Sequence, residues 1–290
     1  MTPQYKVVAV HGINDASGKT EAGFSEELAN LVLPGMAWPN AFWREAVWEE
    51  VCDDLDSEIK KIVTELVNSY DFEDYFRTRM AKRKGFRKIL SCLDLFAVLF
   101  AKGVVPDFVS GILDLALDLP LYLGDAYGTQ IRDKVERELQ RTAKETEGIV
   151  VVGHSLGSVI AHDVVAKLLD EPSPPPIRAL VTMGSPLEWV TALRKNTKGI
   201  SGTHSIPESF EWINFYNKSD PVPIKRALSE ETFPGVENVL VSTTDKNPLA
   251  AHSAYWTDTR VADRIRQLVA PQEQDGASDC LPRRAGGEPG

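Results

Sequence analysis

The chain contains 290 residues, of which 43% are hydrophobic and 26% are charged; this is enough to bury one large core, and we predict a single domain over residues 1–270. Its formal net charge of −10 repels phosphate backbones, so the charge argues against a nucleic-acid partner. The three cysteines are widely spaced and odd in number, which is typical neither of a disulfide framework nor of a metal or redox motif (Cys52, Cys92 and Cys280).

The N-terminal residues run directly into an apolar segment, without the basic region, apolar stretch and cleavage site of a signal peptide. The most hydrophobic region, residues 96–123, is interrupted by charged residues and prolines, so it contains no run of about 18 apolar residues that could span a membrane. We therefore expect a soluble, cytoplasmic protein whose cysteines are free thiols.

The predicted strands are short segments rich in β-branched or aromatic residues and bounded by Gly, Pro, Asn or Asp: residues 6–10, 149–152, 178–183, 211–216 and 236–241. The three central segments are nearly unbroken apolar runs, which is typical of parallel strands covered on both faces. Residues 42–48 fit either a further strand or the first turns of the insertion that follows them, and periodicity does not decide between the two.

Helical spacing of apolar residues lies between and after these strands. Ile131, Val135 and Leu139 are four positions apart, and a second set repeats at helical intervals (Val261, Ile265, Leu268 and Val269). Because strands alternate with helices, the sequence predicts an α/β fold with a mainly parallel sheet flanked by helices.

Two segments depart from this alternation. Residues 49–125 form a long, mainly helical insertion, which is a candidate lid over a binding site. Within it, a basic run at 77–88 precedes an apolar stretch at 89–123; the run is either a solvated helix face or part of a peripheral membrane contact through residues 77–123. Residues 271–290 are rich in Gly, Pro and charged residues, and we predict a disordered tail there.

A serine flanked by glycines directly follows a predicted strand, in Gly153-His154-Ser155-Leu156-Gly157, and an amphipathic helix pattern follows the serine. Such a sharp strand-to-helix turn exposes a nucleophilic hydroxyl at a helix N-terminus, and only glycine fits on either side of it. The five-residue pattern alone arises by chance in roughly one chain in ten of this length. The flanking strand and helix are therefore what indicate a nucleophile.

A serine nucleophile needs a base, and the base needs an orienting acid. Three of the five histidines are poorly placed to act as the base. His154 lies inside the turn, His162 lies further along the same helix, and His11 lies at the end of the first strand. His204 and His252 remain as candidate bases. Asp220 and Asp245 are candidate acids, although Asp220 could instead start the turn before a proline and His252 could cap a helix.

The developing oxyanion needs backbone N–H donors aimed at it. One predicted donor is the N–H of Leu156, the residue after the serine. The other is the N–H of Ile13, since Gly12 allows the chain to turn tightly after the first strand and leaves the next amide free. The alternative for this segment is an ordinary strand-ending turn.

Five features together resemble the α/β-hydrolase superfamily, and especially its lipase and esterase branches with a His-Gly oxyanion loop: His11-Gly12, the Ser155 turn, Met183-Gly184-Ser185-Pro186-Leu187, Asn217-Lys218-Ser219-Asp220-Pro221 and the late His252. The resemblance covers residues 5–16, 148–190 and 210–256. It implies the α/β-hydrolase fold, a triad in the order serine, acid, histidine, and neither metal nor organic cofactor. That order selects Ser155, Asp220 and His252, and excludes His204.

We therefore expect a serine esterase or lipase that hydrolyses a small-molecule ester or lipid through an acyl-enzyme, with an apolar acyl chain suggested by the hydrophobic insertion. Two alternatives stay open. One is a thioesterase or acyltransferase of the same fold, and the other is a non-catalytic scaffold that binds a membrane or protein through residues 70–123.

Overall fold

The computed structural model describes residues 4–12, 23–36, 39–48, 122–123, 125–196, 205–223, 227–242 and 247–270. Several predictions lie outside these residues. They concern the insertion at 49–125 apart from its last residues, the membrane contact, the three cysteines and the tail at 271–290.

In chain order the elements are β1 (Lys6–Val10), α1 (Glu26–Val32), β2 (Trp43–Ala46), α2 (Asp125–Ala143), β3 (Ile149–His154), α3 (Leu156–Leu169), β4 (Ile177–Met183), α4 (Leu187–Asn196), β5 (Glu211–Tyr216), β6 (Val236–Leu240), α5 (Pro248–Ser253), a 3-10 helix (Ala254–Thr257) and α6 (Thr259–Val269). The strands form one sheet in the order β2-β1-β3-β4-β5-β6, and every neighbouring pair is parallel. The predicted α/β fold, with a parallel sheet flanked by helices, is confirmed.

Alternate residues of the central strands enter two cores, one on each face of the sheet. On β3, Ile149 and Val151 pack with the apolar residues of α2 and α3, whereas Val150 and Val152 pack with those of α1 and α6. All six residues of β3 are buried, which explains its unbroken apolar sequence. The sheet is thus covered on both faces, and the space for a functional site lies at the ends of the strands.

The structure decides the segment 42–48 in favour of a strand, because Trp43–Ala46 pairs in parallel with Val7 to Val10 of β1. The strand β3 also runs two residues beyond its predicted end, since its pairing with β4 continues to His154 opposite Met183. In the part of the chain that the structure describes, no helix has the length and apolar character needed to cross a bilayer.

Candidate active site

Ser155 lies in the turn between β3 and α3 with φ 53° and ψ −129°. Among the described residues it is the only non-glycine residue with a positive φ, a conformation that side chains with a Cβ rarely adopt. A Cβ atom on Gly153 would come within 2.7 Å of Ser158 Cα, and one on Gly157 would overlap the carbonyl oxygen of His11. The predicted requirement for glycine on both sides of the serine is therefore confirmed.

Backbone hydrogen bonds hold this strained turn in place. The Ser155 N–H donates to the Met183 carbonyl oxygen at 3.0 Å, and the Ser155 carbonyl oxygen accepts from the Ser158 N–H at 3.0 Å. The Ser158 hydroxyl is 2.5 Å from that same carbonyl oxygen and 2.7 Å from the hydroxyl of Ser185. These contacts fix the backbone of Ser155 between β4 and α3 without using its Oγ.

The strained conformation leads to a prediction about stability. Glycine adopts a positive φ without steric cost, whereas alanine retains the Cβ that makes this conformation unfavourable. We expect Ser155→Gly to be more stable than Ser155→Ala by about 1 kcal/mol, after the greater entropy of glycine in the unfolded chain is subtracted. Urea unfolding of the two variants measures the difference, and equal stability would show that the turn is not strained.

The predicted acid and base are in direct contact. The Nδ1 of His252 lies 2.9 Å from Asp220 Oδ2 and 3.0 Å from Oδ1. Asp220 is fully buried and also accepts hydrogen bonds from the Tyr255 hydroxyl at 2.7 Å and from the Val222 N–H at 2.9 Å. Because a carboxylate can only accept, Nδ1 of His252 carries the hydrogen in this contact and Nε2 is left with a lone pair.

Electrostatics favour an ionised Asp220. Burial alone would raise the pKa of this carboxyl, but the neighbouring His252 and the hydrogen bonds from His252, Tyr255 and the Val222 N–H lower its pKa below the usual value. Burial and the negative charge of Asp220 both raise the pKa of the Tyr255 hydroxyl, which therefore stays protonated as a donor. The acid is thus prepared to hold an imidazole in one tautomer.

The Asp220–His252 pair lies beside the end of β4, next to the serine turn. A Cβ on Gly184, which follows β4 and has a φ of +55°, would be 2.9 Å from Asp220 Oδ2 and 3.0 Å from His252 Cε1. The preceding Met183 carbonyl accepts the hydrogen bond from the Ser155 N–H. Among the hydrogen bonds of the described residues, none joins Ser155 Oγ to His252; such bonds are often long before a substrate binds.

His252 itself lies in the last turn of the helix α5 (Pro248–Ser253). The helix forms because a proline occupies its first position, where no N–H is needed, and is followed by Leu249, Ala250 and Ala251, which favour helix. The backbone of the base is therefore part of a regular element.

The first described residues of the predicted oxyanion loop, His11 and Gly12, lie beside Ser155. A Cβ on Gly12 would lie 2.7 Å from Ser155 Cβ and 3.4 Å from Ser155 Oγ. Gly12 does not have a positive φ, and the close approach to Ser155 is what requires glycine at this position. The turn predicted after Gly12 lies outside the described residues. Leu156 starts α3 and is fully buried. The predicted donor Ile13 lies outside the described residues.

The ring of His11 connects this loop to the segment that follows β2. Its Nδ1 donates to the Gly12 carbonyl oxygen at 2.5 Å, its Nε2 accepts from the Trp48 N–H at 3.1 Å, and the ring stacks on the Trp48 indole. Burial lowers the pKa of His11 to about 4. The neutral ring therefore keeps the lone pair that this bridge needs.

The structure describes one of the three remaining candidates, His162. His162 is buried and packs against Trp212 and Phe233. The rejected base His204 and the reserve acid Asp245 lie outside the described residues. Within the described ranges, no group of three or more His, Cys, Asp or Glu side chains is placed to hold a metal ion.

Sequence reasoning missed two residues of the site. Tyr255 donates to Asp220, and its position three residues after His252 is the signal that could have indicated it. The Nε2 of His154 lies 2.8 Å from the His252 carbonyl oxygen. We considered this residue only as a possible base.

Two of the buried histidines, His11 and His154, predict a loss of stability in acid. In the unfolded chain both titrate near pH 6.5, whereas burial lowers the pKa of His11 to about 4 and that of His154 to about 3 in the folded protein. Below pH 6.5 the unfolded chain therefore binds protons that the folded protein does not, and stability falls as the pH is lowered. We expect each histidine to reduce the free energy of unfolding by about 2 kcal/mol between pH 7 and pH 5.

Urea unfolding at the two pH values measures this loss, and His154→Gln is the matched variant because glutamine does not titrate. We expect it to lose about half of the pH dependence. An unchanged dependence in His154→Gln would contradict the prediction.

Comparison with solved structures finds chains of low identity. A dienelactone hydrolase from Anabaena variabilis is 12% identical, with 92% of this chain and 83% of that chain covered and a TM-score of 0.39. The product of gene lin2722 from Listeria innocua is 10% identical, with 94% and 96% covered and a TM-score of 0.41. An IroE-like serine hydrolase from Shewanella oneidensis is 15% identical, with 51% and 52% covered and a TM-score of 0.30. No curated protein matches the chain.

A family model gives the assignment. The model described as Lipase (class 3) matches residues 48–228, which is more than half of the chain. The matched region includes Ser155 and Asp220 and ends before His252. On this match, the chain belongs to the class 3 lipase family.

Proposed function

We propose that the protein hydrolyses carboxylic esters through an acyl-enzyme formed on Ser155. Membership of the class 3 lipase family supports ester hydrolysis in general. The observation that carries the specific proposal is the hydrogen-bonded pair of Asp220 and His252 next to the strained turn at Ser155. A nucleophile, a base and an orienting acid are the groups that acyl transfer requires.

In the acylation step, Ser155 Oγ attacks the ester carbonyl carbon while Nε2 of His252 accepts the hydroxyl proton. The bond from the carbonyl carbon to the alcohol oxygen then breaks, and the imidazolium gives its proton to the departing alcohol. Asp220 holds the Nδ1–H of His252 and stabilises the positive charge on the ring. Its buried carboxylate is suited to this role, because His252, Tyr255 and the Val222 N–H all donate to it.

In the deacylation step, His252 removes a proton from water, and the resulting hydroxide attacks the acyl-enzyme carbonyl. The bond to Ser155 Oγ breaks and Oγ takes the proton from His252, which releases the acid. In both steps the N–H groups of Leu156 and Ile13 are the proposed donors to the oxyanion. The close approach of Gly12 to Ser155 supports an oxyanion loop at this position.

The test combines covalent labelling with an ester series. A fluorophosphonate probe is expected to label the wild-type protein on Ser155, as identified by peptide mass, and not to label Ser155→Ala. Rates over p-nitrophenyl esters from short to long acyl chains then measure the acyl preference, and an acyl product on an added thiol or alcohol would assign transfer in place of hydrolysis. Ester hydrolysis that persists without labelling of Ser155 would overturn the proposal.

A further inference from the structure

His154 joins the serine turn to the segment that carries the base. It directly precedes Ser155, and its Nε2 lies 2.8 Å from the carbonyl oxygen of His252. Because a carbonyl oxygen can only accept, Nε2 carries the hydrogen and donates it. The two imidazole rings are 4.6 Å apart between centroids, with an interplanar angle of 36°.

The surroundings of His154 fix its ring. It is buried, and its ring centroid lies 5.2 Å from that of Trp256 and 5.9 Å from that of Tyr255. His154 therefore contacts three residues of the same short segment, through one hydrogen bond and two further aromatic rings. These contacts lie on the segment that also supplies Tyr255, the donor to Asp220.

The lowered pKa of His154 is consistent with a neutral ring that donates a hydrogen bond from Nε2. Burial, followed by the neighbouring His252, lowers the pKa of His154 to about 3, while the hydrogen bond to the His252 carbonyl and the negative charge of Asp220 act in the opposite direction. At neutral pH the ring is uncharged. It can then donate to the His252 carbonyl without placing a second positive charge beside His252 when that ring accepts a proton.

We propose that His154 is a positioning residue, which holds the backbone of His252 at a fixed distance from the serine turn. The inference rests on the proposed function, since it assigns a role within that site. Ser155 and His252 lie on separate elements, and the hydrogen bond links the residue before the nucleophile directly to the base. A displacement of about 1 Å between reacting groups can lower a rate about a hundredfold, so such a link has a measurable effect.

Two variants distinguish the effect of the hydrogen bond on the rate from the effect of the space that the ring fills. His154→Phe keeps an aromatic ring but removes the donor, and we expect kcat for a p-nitrophenyl ester to fall about tenfold to a hundredfold with KM unchanged. His154→Gln keeps a neutral N–H donor at nearly the reach of Nε2, and we expect it to restore most of the lost kcat. His162→Phe, at a buried histidine outside the site, is the matched control and should keep the wild-type kcat.

A wild-type kcat in His154→Phe, an effect confined to KM, or equal losses in the Phe and Gln variants would each overturn the inference. If the Phe variant does not fold, the wild-type protein still provides a test. In the protein labelled with ¹⁵N-histidine, the His154 ring is expected in the Nε2–H tautomer and neutral down to about pH 4, with its signals assigned by their absence from His154→Gln. An Nδ1–H tautomer of the neutral ring would overturn the inference.

The two proposals fail in distinguishable ways. A wild-type protein that neither hydrolyses esters nor reacts with the fluorophosphonate contradicts the proposed function. A wild-type protein that is active, together with an equally active His154→Phe, contradicts only the role of His154.

Discussion

Replacing Ser155 by alanine is expected to lower kcat for p-nitrophenyl ester hydrolysis by about 10⁴-fold to 10⁶-fold. The change removes the Oγ that attacks the carbonyl carbon and leaves the backbone donors and the Asp220–His252 pair in place. We expect His252→Ala to cause a comparable loss, because the hydroxyl is a weak nucleophile without a base. Since the two groups act as a unit, the double variant should be scarcely slower than either single variant.

A matched control is Ser173→Ala. Ser173 is exposed in the connection that leads into β4. It precedes the N-terminal ends of the strands, whereas Ser155 follows their C-terminal ends, so its replacement should leave kcat unchanged. Full activity in Ser155→Ala would refute the assignment of the nucleophile, and full activity in His252→Ala would refute that of the base. Additive losses in the double variant would indicate that the two side chains act in separate steps.

The second large effect is expected from Asp220→Asn, for which we predict a fall in kcat of about 10⁴-fold. The amide has nearly the same shape as the carboxyl, but its nitrogen can donate to Nδ1 of His252 and so favour the tautomer with the hydrogen on Nε2. That tautomer has no lone pair toward the serine. The replacement also removes the negative charge that stabilises the imidazolium.

The tautomer is itself measurable by ¹⁵N spectra of the histidine rings, which we expect to change from Nδ1–H to Nε2–H at His252 in the Asn variant. Asp263→Asn, at an exposed position of α6, is the matched control for loss of a carboxylate. A small loss of kcat, or an unchanged tautomer, would contradict the orienting role of Asp220.

Much of the fold could be predicted because hydrophobic pattern and burial correspond closely in a parallel sheet. The strand at 149–152 is apolar at every position because both of its faces are buried, so its identification did not depend on neighbouring strands. The strand Trp43–Ala46 could not be decided in the same way. It lies at the edge of the sheet, and only two of its four residues are buried.

Some residues of the candidate site could likewise be predicted from local sequence, and others could not. Ser155 could be predicted because its requirements are local: a strand, a helix and two glycines within a few residues. Asp220 and His252 needed the order of residues that the family resemblance supplied. The contact of His154 could not be predicted, because it depends on where α5 and the 3-10 helix pack against the ends of β3 and β4. The contact of Tyr255 depends on the same packing, and only its spacing of three residues from His252 gave a local signal for it.

The pairing of β1 with β3 places Lys6 opposite Ile149, about 140 positions later, and residues 49–121 make up about half of that separation. The entropy lost when a flexible chain is closed into a loop grows only with the logarithm of the loop length, by about 0.6 kcal/mol for each doubling. Shortening this connection to a brief linker would therefore ease closure by no more than about 0.6 kcal/mol. The free energy needed to close the pairing of β1 with β3 is therefore nearly independent of the number of residues between β2 and α2.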